Sequence, residues 1–560
     1  MIASRRTINR FCIVTVALGW AAIPLLQAQT VETPVAPIQT SGGAVAGKVL
    51  PSGVKAWLGV PFARPPVQEL RWQPPQPMRW KGVWNADRKM PECVQVLRPH
   101  NINHYFGEEA SSEDCLYLNI WAPANADAGS KLPVVVYIYG GGNTIGSSGM
   151  AIYGGEPIAR TGKAVYVNLN YRVGILGFMA HPELTQEQGG HSGNYAYLDQ
   201  NAALRWVHDN IARFGGDPGK VAIIGQSAGA MSVTAQLFSP LSKGLFRAAV
   251  MSSGCHWTVG GLLGQPLPTL SEGEKTGLEI QQRLGAGNLQ AMRQIPADKV
   301  LALQAEFQVG NSTNGFRTGP VIDGYFTPAT RLATLQAHQF NDVPIIAGFN
   351  REDLDAASPL VKAKTVAEYE AVAAQLYGAD ATEFLKLFPV KQDSDIRVIG
   401  MNAAREADLE AGARGCAALQ TQYNQSPAYI NMFALTPSFA PGVAIADIDT
   451  ATAGAYHTAD IPFWLGTMDV FNTFRTTRAW NAWDRELSAA MMGALIAFAD
   501  TGNPNTSQVK WPAWSAMNEQ KLIFAETIKS VKLETRRMDW LAAHPAQAVA
   551  TAPVPIRPRD

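Results

Sequence analysis

Neither sign of charge predominates in this chain: 46 Lys and Arg stand against 46 Asp and Glu, a formal net charge of zero. Charged residues make up only 16% and form no long run of one sign. Phosphate backbones demand a basic surface, so no nucleic-acid partner is expected. Cysteine is scarce, five in 560 residues, and none has the CxxC spacing of a zinc or redox site. No apolar run beyond residue 28 approaches the ~20 residues that a bilayer span requires, so no stable membrane span is expected in the mature chain. Neither metal nor cofactor is called for.

What is present begins with an export signal. Arg5, Arg6 and Arg10 form a positive head, residues 11–26 are apolar and uncharged, and Ala28 is placed to precede a cleavage site. The competing reading is an uncleaved anchor, for which the apolar run is short. Ser4-Arg5-Arg6 hints at a twin-arginine signal, but Thr7 and Ile8 do not complete it, so the export route stays open. Residues 1–28 are thus read as a signal peptide and 29–42, rich in Thr, Pro, Gly and Ala, as a loose leader. The mature protein is expected to be periplasmic or secreted, where disulfides are chemically possible. Cys93 and Cys115, close in sequence with loop-like residues between them, are the favoured pair. For Cys255 and Cys416, a bridge and two free thiols both remain open.

Hydrophobic content is 47%, ample for a large core. Short continuous apolar runs recur at residues 133–139, 164–168, 221–224, 248–252, 343–347 and 428–433, as expected of strands covered on both faces. Helical patterns fall between them at 198–214, 365–377 and 487–501, the last closed by Gly502 and Pro504. This alternation argues for an α/β fold with a mostly parallel sheet. One catalytic domain is expected over 43–540. Regions about 265–320 and 355–425 look like helical insertions that would cap the sheet's carboxyl edge, and 541–560 form a tail.

Gly225-Gln226-Ser227-Ala228-Gly229 follows the 221–224 run and precedes a helical stretch near Ala230. This is the strand-turn-helix context of a nucleophile elbow. The pattern alone is weak, since chance supplies roughly 0.2–0.3 such matches in a chain this glycine-rich; its context gives it force. Upstream, Tyr139-Gly140-Gly141-Gly142 ends another strand run without the Gly-Lys-Ser/Thr ending of a phosphate loop. Consecutive glycines let backbone N–H groups approach a developing oxyanion without a Cβ in the way. Gly141, Gly142 and Ala228 are the natural donors. Of nine histidines, only His457 stands late in the chain in a Gly/Pro-punctuated loop (454–463, GAYHTADIPF). The order Ser, acid, His is that of the α/β-hydrolase triad. The acid should follow the 343–347 strand, where Glu352 and Asp353 compete.

On these and further blocks the sequence resembles the type-B carboxylesterase family, which includes bacterial para-nitrobenzyl esterases, fumonisin-type esterases and cholinesterases. The blocks are WLGVPFARPP at 57–66, LRW at 70–72, ECVQ at 92–95, SEDCLYLN at 112–119 and NYRVG at 170–174. LGF at 176–178, FGGDP at 214–218, DG at 323–324 and TGNP at 501–504 complete them. The resemblance spans about residues 43–535. It implies the α/β-hydrolase fold, Ser227 as nucleophile, His457 as general base, and Gly141, Gly142 and Ala228 as the oxyanion hole. It also implies a Cys93–Cys115 bridge and no cofactor. The family's Asp-Glu-Gly corresponds to Glu352-Asp353-Leu354, which places the triad acid at Asp353, one methylene shorter than usual. Gln226, Asn143 and Ala196 are further departures, expected to alter the pocket and not the reaction. The loop from Cys93 to Cys115 has no tryptophan to bind choline by cation–π attraction, which disfavours cholinesterase activity.

The implied activity is hydrolysis of a small-molecule carboxylic ester through an acyl-enzyme intermediate. The alternatives are a related amide or carbamate hydrolase and a non-catalytic binding protein that merely retains the triad. Cleavage after Ala28 would leave a mature chain starting at Gln29. Intact-mass measurement of the exported protein checks this, and retention of residues 1–28 would favour the anchor.

Overall fold

The computed structural model describes residues 33–98, 100–107, 110–257, 266–308 and 318–547. The proposed signal peptide and its cleavage site lie outside the described residues. A 13-stranded sheet forms the centre. Its parallel body runs, in spatial order, Val165–Leu169, Leu132–Ile138, Gly216–Gln226, Ala248–Ser252, Ile345–Asn350, Ala428–Phe433 and Gln520–Phe524. Nearly every residue of the first six of these strands is buried, apart from Leu132 and the first few residues after Gly216. Such burial on both faces is why they read as unbroken apolar runs and not as alternation.

Helices cover both faces. Tyr195–Asn210 buries one side through Leu198, Ala203, Leu204 and Val207. Ala482–Thr501 begins five residues earlier than its apolar pattern suggests. Asn481 caps it, in a box with Asp484, and Gly502 at φ 75° ends it.

Antiparallel strands extend the sheet at its N-terminal side: Thr33–Gln39, Ala44–Val49, Lys55–Pro61 and Tyr117–Ala122. The stretch 29–42, expected as a loose leader, therefore carries an edge strand. Its Pro34 and Pro37 disguise it. Proline is tolerated on an edge or at a bulge, and the register shifts between Val35 and Ile38. Ile528–Lys532 closes the opposite side antiparallel.

The two expected insertions behave differently. Between 265 and 320 lie helices Leu270–Arg283, Leu289–Gln294 and Ala297–Gln308. The region 355–425 is only partly an insertion. Tyr369, Phe384, Phe388 and Ile396 build a satellite core there, but helix Leu409–Tyr423 packs against strands Ile345–Asn350 and Ala428–Phe433 as a flank of the sheet. The C-terminal boundary moves too. Residues 541–543, assigned to the tail, finish helix Thr535–Ala543, whose Leu541 joins the satellite core. Among the described residues no helix is long and apolar enough to cross a membrane.

Cys93 is bonded to Cys115 and Cys255 to Cys416. The first bridge closes a loop whose base is also paired, Glu92–Cys93 with Ser111–Ser112. The second spans 161 residues and ties the end of a central strand to helix Leu409–Tyr423. Closing so long a loop restricts the unfolded chain, so removing the bridge by Cys255→Ala with Cys416→Ala is expected to cost about 2–4 kcal/mol. Urea unfolding of the double variant measures this, and an unchanged midpoint would show that the bridge contributes nothing.

Candidate active site

Strand Gly216–Gln226 ends against helix Ala228–Phe238 with a single residue between them, Ser227, at φ 59° and ψ −128°. A non-glycine residue in such a conformation costs about 1–3 kcal/mol and needs surroundings that enforce it. Here the Ser227 N–H donates to the Ser252 carbonyl at 2.9 Å, and its own carbonyl accepts from Met231 N at 3.1 Å. Glycines make the turn possible by close approach. A Cβ on Gly225 would meet the backbone of Gly229, and one on Gly229 would meet the carbonyls of Ile138 and Tyr139. A Cβ on Gly140 would lie 3.0 Å from the Ser227 Cβ. The turn that carries Gly141 (φ 112°) and Gly142 (φ 62°) thus lies against the serine. Ala228, as the first residue of its helix, has an N–H with no partner within that helix.

The imidazole of His457 spans the site. Its Nε2 lies 2.9 Å from Ser227 Oγ, and its Nδ1 hydrogen-bonds Asp353 Oδ1. Asp353 is 3% exposed, so its charge needs donors. It finds them in Ser253 Oγ at 2.6 Å, the N–H of Asn350 at 2.9 Å and the N–H of Leu354 at 2.8 Å. Of the two competing acids, only Asp353 faces the ring. Glu352 holds the histidine loop, accepting from Ala455 N at 2.7 Å with one oxygen and from Arg351 Nε at 2.6 Å with the other. Gly454, at φ 57°, has no room for a Cβ because the Glu352 carboxyl fills the space.

A second carboxylate acts on the ring through its charge. Asp460 is buried, accepts from Ser252 Oγ at 2.5 Å and from Asn350 Nδ2 at 3.2 Å, and is pushed up to about 6 by burial and by the neighbouring Asp353 charge. His457 itself is partly buried, and the loss of solvent lowers its pKa, but the charge and hydrogen bond of Asp353 outweigh that, helped by Asp460. The net shift is upward from 6.5. Gln226 steadies the same residue by donating to the His457 carbonyl at 2.6 Å. His104, from the Cys93–Cys115 loop, hydrogen-bonds Thr458 Oγ1. Burial, then the nearby His457, Arg478 and Arg98, hold it down to about 3, so it adds no charge beside His457.

The sequence singled out every side chain in the Ser227–His457–Asp353 line. It assigned no role to Ser253, Asp460 or Gln304. Asp460 sits in the quoted 454–463 loop, three residues past the histidine, and Ser253 immediately follows the 248–252 run; that proximity is the available signal. Gln304 carried none: it reaches in from helix Ala297–Gln308 to accept from Ile175 N at 3.1 Å and to donate to the Thr144 carbonyl at 3.4 Å, beside the glycine turn. A groove of about 730 Å³ opens between this helix and the disulfide loop, lined by Gln95, Leu97, Tyr105 and Leu301 among others. None of Ser227, Asp353 and His457 lines it. Among the described residues no group of three or more His, Cys, Asp or Glu is arranged to hold a metal ion.

The comparisons with known proteins agree with this reading of the fold. A family model described as the carboxylesterase family matches residues 33–541. The fumonisin B1 esterase of Sphingopyxis macrogoltabida is 34% identical over 513 residues, covering 90% of this chain and 89% of that protein. The para-nitrobenzyl esterase of Bacillus subtilis (strain 168) is 30% identical over 513 residues, covering 88% of this chain and 95% of its own. A solved structure of a PNB esterase superposes with a TM-score of 0.72 at 28% identity, over 90% of this chain and 98% of that one. A thermophilic PNB esterase gives 0.71 over 90% and 99%. With its parallel sheet, its strand-turn-helix serine and matches that run nearly end to end, the chain has the α/β-hydrolase fold and belongs to the carboxylesterase family, as a carboxylic ester hydrolase.

Proposed function

We propose that the protein cleaves small-molecule carboxylic esters by nucleophilic attack of Ser227, with His457 as general base and Asp353 as its orienting acid. The observation that carries this is the unbroken hydrogen-bonded line from Ser227 Oγ through both ring nitrogens of His457 to a buried, fully solvated-by-donors Asp353. A free serine hydroxyl is a weak nucleophile, and an adjacent base that takes its proton in the transition state makes it competent. Asp353 selects the tautomer with the proton on Nδ1, leaving Nε2 as acceptor, and stabilises the imidazolium once it forms.

The attack converts the ester carbonyl oxygen to an oxyanion. The N–H groups of Gly141, Gly142 and Ala228 receive it; losing one such donor costs about 100- to 1,000-fold in rate. His457 then gives its proton to the departing alcohol, leaving an acyl group on Ser227. Water enters by the same general-base route and releases the carboxylic acid. Export to an oxidising compartment fits both the basic-apolar N-terminus and the paired cysteines.

Ser227→Ala is expected to abolish turnover of para-nitrophenyl acetate while leaving the circular dichroism spectrum intact; activity above a few per cent would overturn the assignment. The base works only when neutral, so kcat/KM should rise with pH through an inflection lying above 6.5, the direction of the His457 shift. Asp353→Asn removes the charge that lifts this pKa and also the tautomer control. A stopped-flow pH series should find the inflection moved down and kcat lower by about 10⁴-fold. An acid limb unmoved by Asp353→Asn would count against the pairing.

A further inference from the structure

The glycine turn does not hold itself in place. Gly141, Gly142, Asn143 and Gly146 all have positive φ, at 112°, 62°, 63° and 120°. Within the turn the backbone bonds run from the N–H groups of Thr144 and Ile145 to one shared carbonyl, Gly141 O, at 3.1 and 3.2 Å. A glycine-rich segment without a ladder has much conformational freedom to lose, so an external hold must set where its N–H groups point. At its far end that hold is Gln95. The Gln95 amide binds both backbone groups of Gly146: Oε1 accepts from the N–H at 2.7 Å and Nε2 donates to the carbonyl at 2.8 Å. Gly146 is in turn wedged against the start of the turn, where a Cβ on it would meet the ring of Tyr139 and the Gly140 carbonyl.

Gln95 is itself immobilised. It is 2% exposed, its Nε2 also donates to the Cys93 carbonyl at 3.0 Å, and its Oε1 accepts from Arg98 at 3.2 Å. Cys93 is fixed by its disulfide and Arg98 by its Nη2, which donates to both carboxylate oxygens of buried Glu92 at 2.9 and 3.1 Å. The chain of contacts therefore runs from a covalent bridge through one side-chain amide to the loop that carries Gly141 and Gly142. Between buried groups such bonds are strong and directional.

We propose that Gln95 is a positioning residue for ester hydrolysis: it transmits the rigidity of the Cys93–Cys115 loop to the oxyanion-binding turn and so aims its N–H donors. It touches no substrate atom in this role, so its loss should weaken the transition state and spare ground-state binding. This rests on the proposed use of Gly141 and Gly142 as oxyanion donors.

The test is steady-state hydrolysis of para-nitrophenyl acetate by Gln95→Leu, with kcat expressed per serine titrated by an active-site phosphonate, beside the inhibition constant of an alkyl trifluoromethyl ketone. That ketone adds to the serine and places an oxyanion in the turn. The expected result is a loss of kcat of about tenfold or more, an equal rise in the ketone's inhibition constant, and KM within about threefold. A purely structural role would lower the titre and the melting temperature but leave kcat per titrated site and ketone affinity at parental values, and that outcome overturns the proposal. Gln95→Glu keeps the acceptor for Gly146 N and loses both donated bonds, so it covers the case in which the leucine variant does not fold. Parental kcat and ketone affinity in Gln95→Glu would also overturn it. Activity in Ser227→Ala would strike the proposed mechanism itself, whereas an inert Gln95 with an essential Ser227 strikes only this inference.

Discussion

Three backbones meet at Ser227 at distances that only glycine permits. The strand before it, the helix after it and the turn beyond the neighbouring strand approach so closely that a Cβ on Gly225, Gly229 or Gly140 would run into main-chain atoms or the serine itself. This packing fixes the serine in a backbone conformation it would not choose. It also places the first N–H of helix Ala228–Phe238 and those of the glycine turn around one point. The sheet, with its parallel strands Leu132–Ile138 and Gly216–Gln226 in register side by side, exists at this edge to hold that junction.

The acid side depends on a different device, the complete satisfaction of a buried charge. Asp353 accepts from a hydroxyl and two backbone N–H groups before it ever meets His457. Its orientation is therefore set independently of the ring. The shorter side chain, where the family resemblance leads one to expect glutamate, is accommodated because Glu352 ties residues 454–455 to the acid loop itself. The two adjacent carboxylates divide the work, one facing the ring and one holding the histidine loop close.

The parts of the site that lie at the carboxyl ends of central strands were legible in the sequence, because buried parallel strands print as unbroken apolar runs and their turns print as glycine. Ser227 and the glycine turn were read this way, His457 from its Gly/Pro-punctuated loop and the order Ser, acid, His, and the family resemblance chose Asp353 over Glu352. What escaped was of two kinds. The N-terminal edge strand around Pro34 and Pro37 follows the rules of an edge, where proline is allowed, and so looked like a linker. Gln304 and the pairing of Cys255 with Cys416 depend on distant elements converging, which no local pattern records. The helix Leu409–Tyr423 was misplaced into an insertion for the same reason: whether an amphipathic helix caps a site or flanks a sheet is decided by tertiary contacts.

The long bridge from Cys255 to Cys416 has a consequence for resistance to proteolysis. Ser227 lies on one side of the bridged interval and His457 on the other, with Asp353 inside it. A protease that nicks the chain anywhere between the two cysteines produces fragments that stay covalently joined. Ser227 and His457 then remain at the effective concentration of a single molecule, and a clipped enzyme need not become a dissociated one.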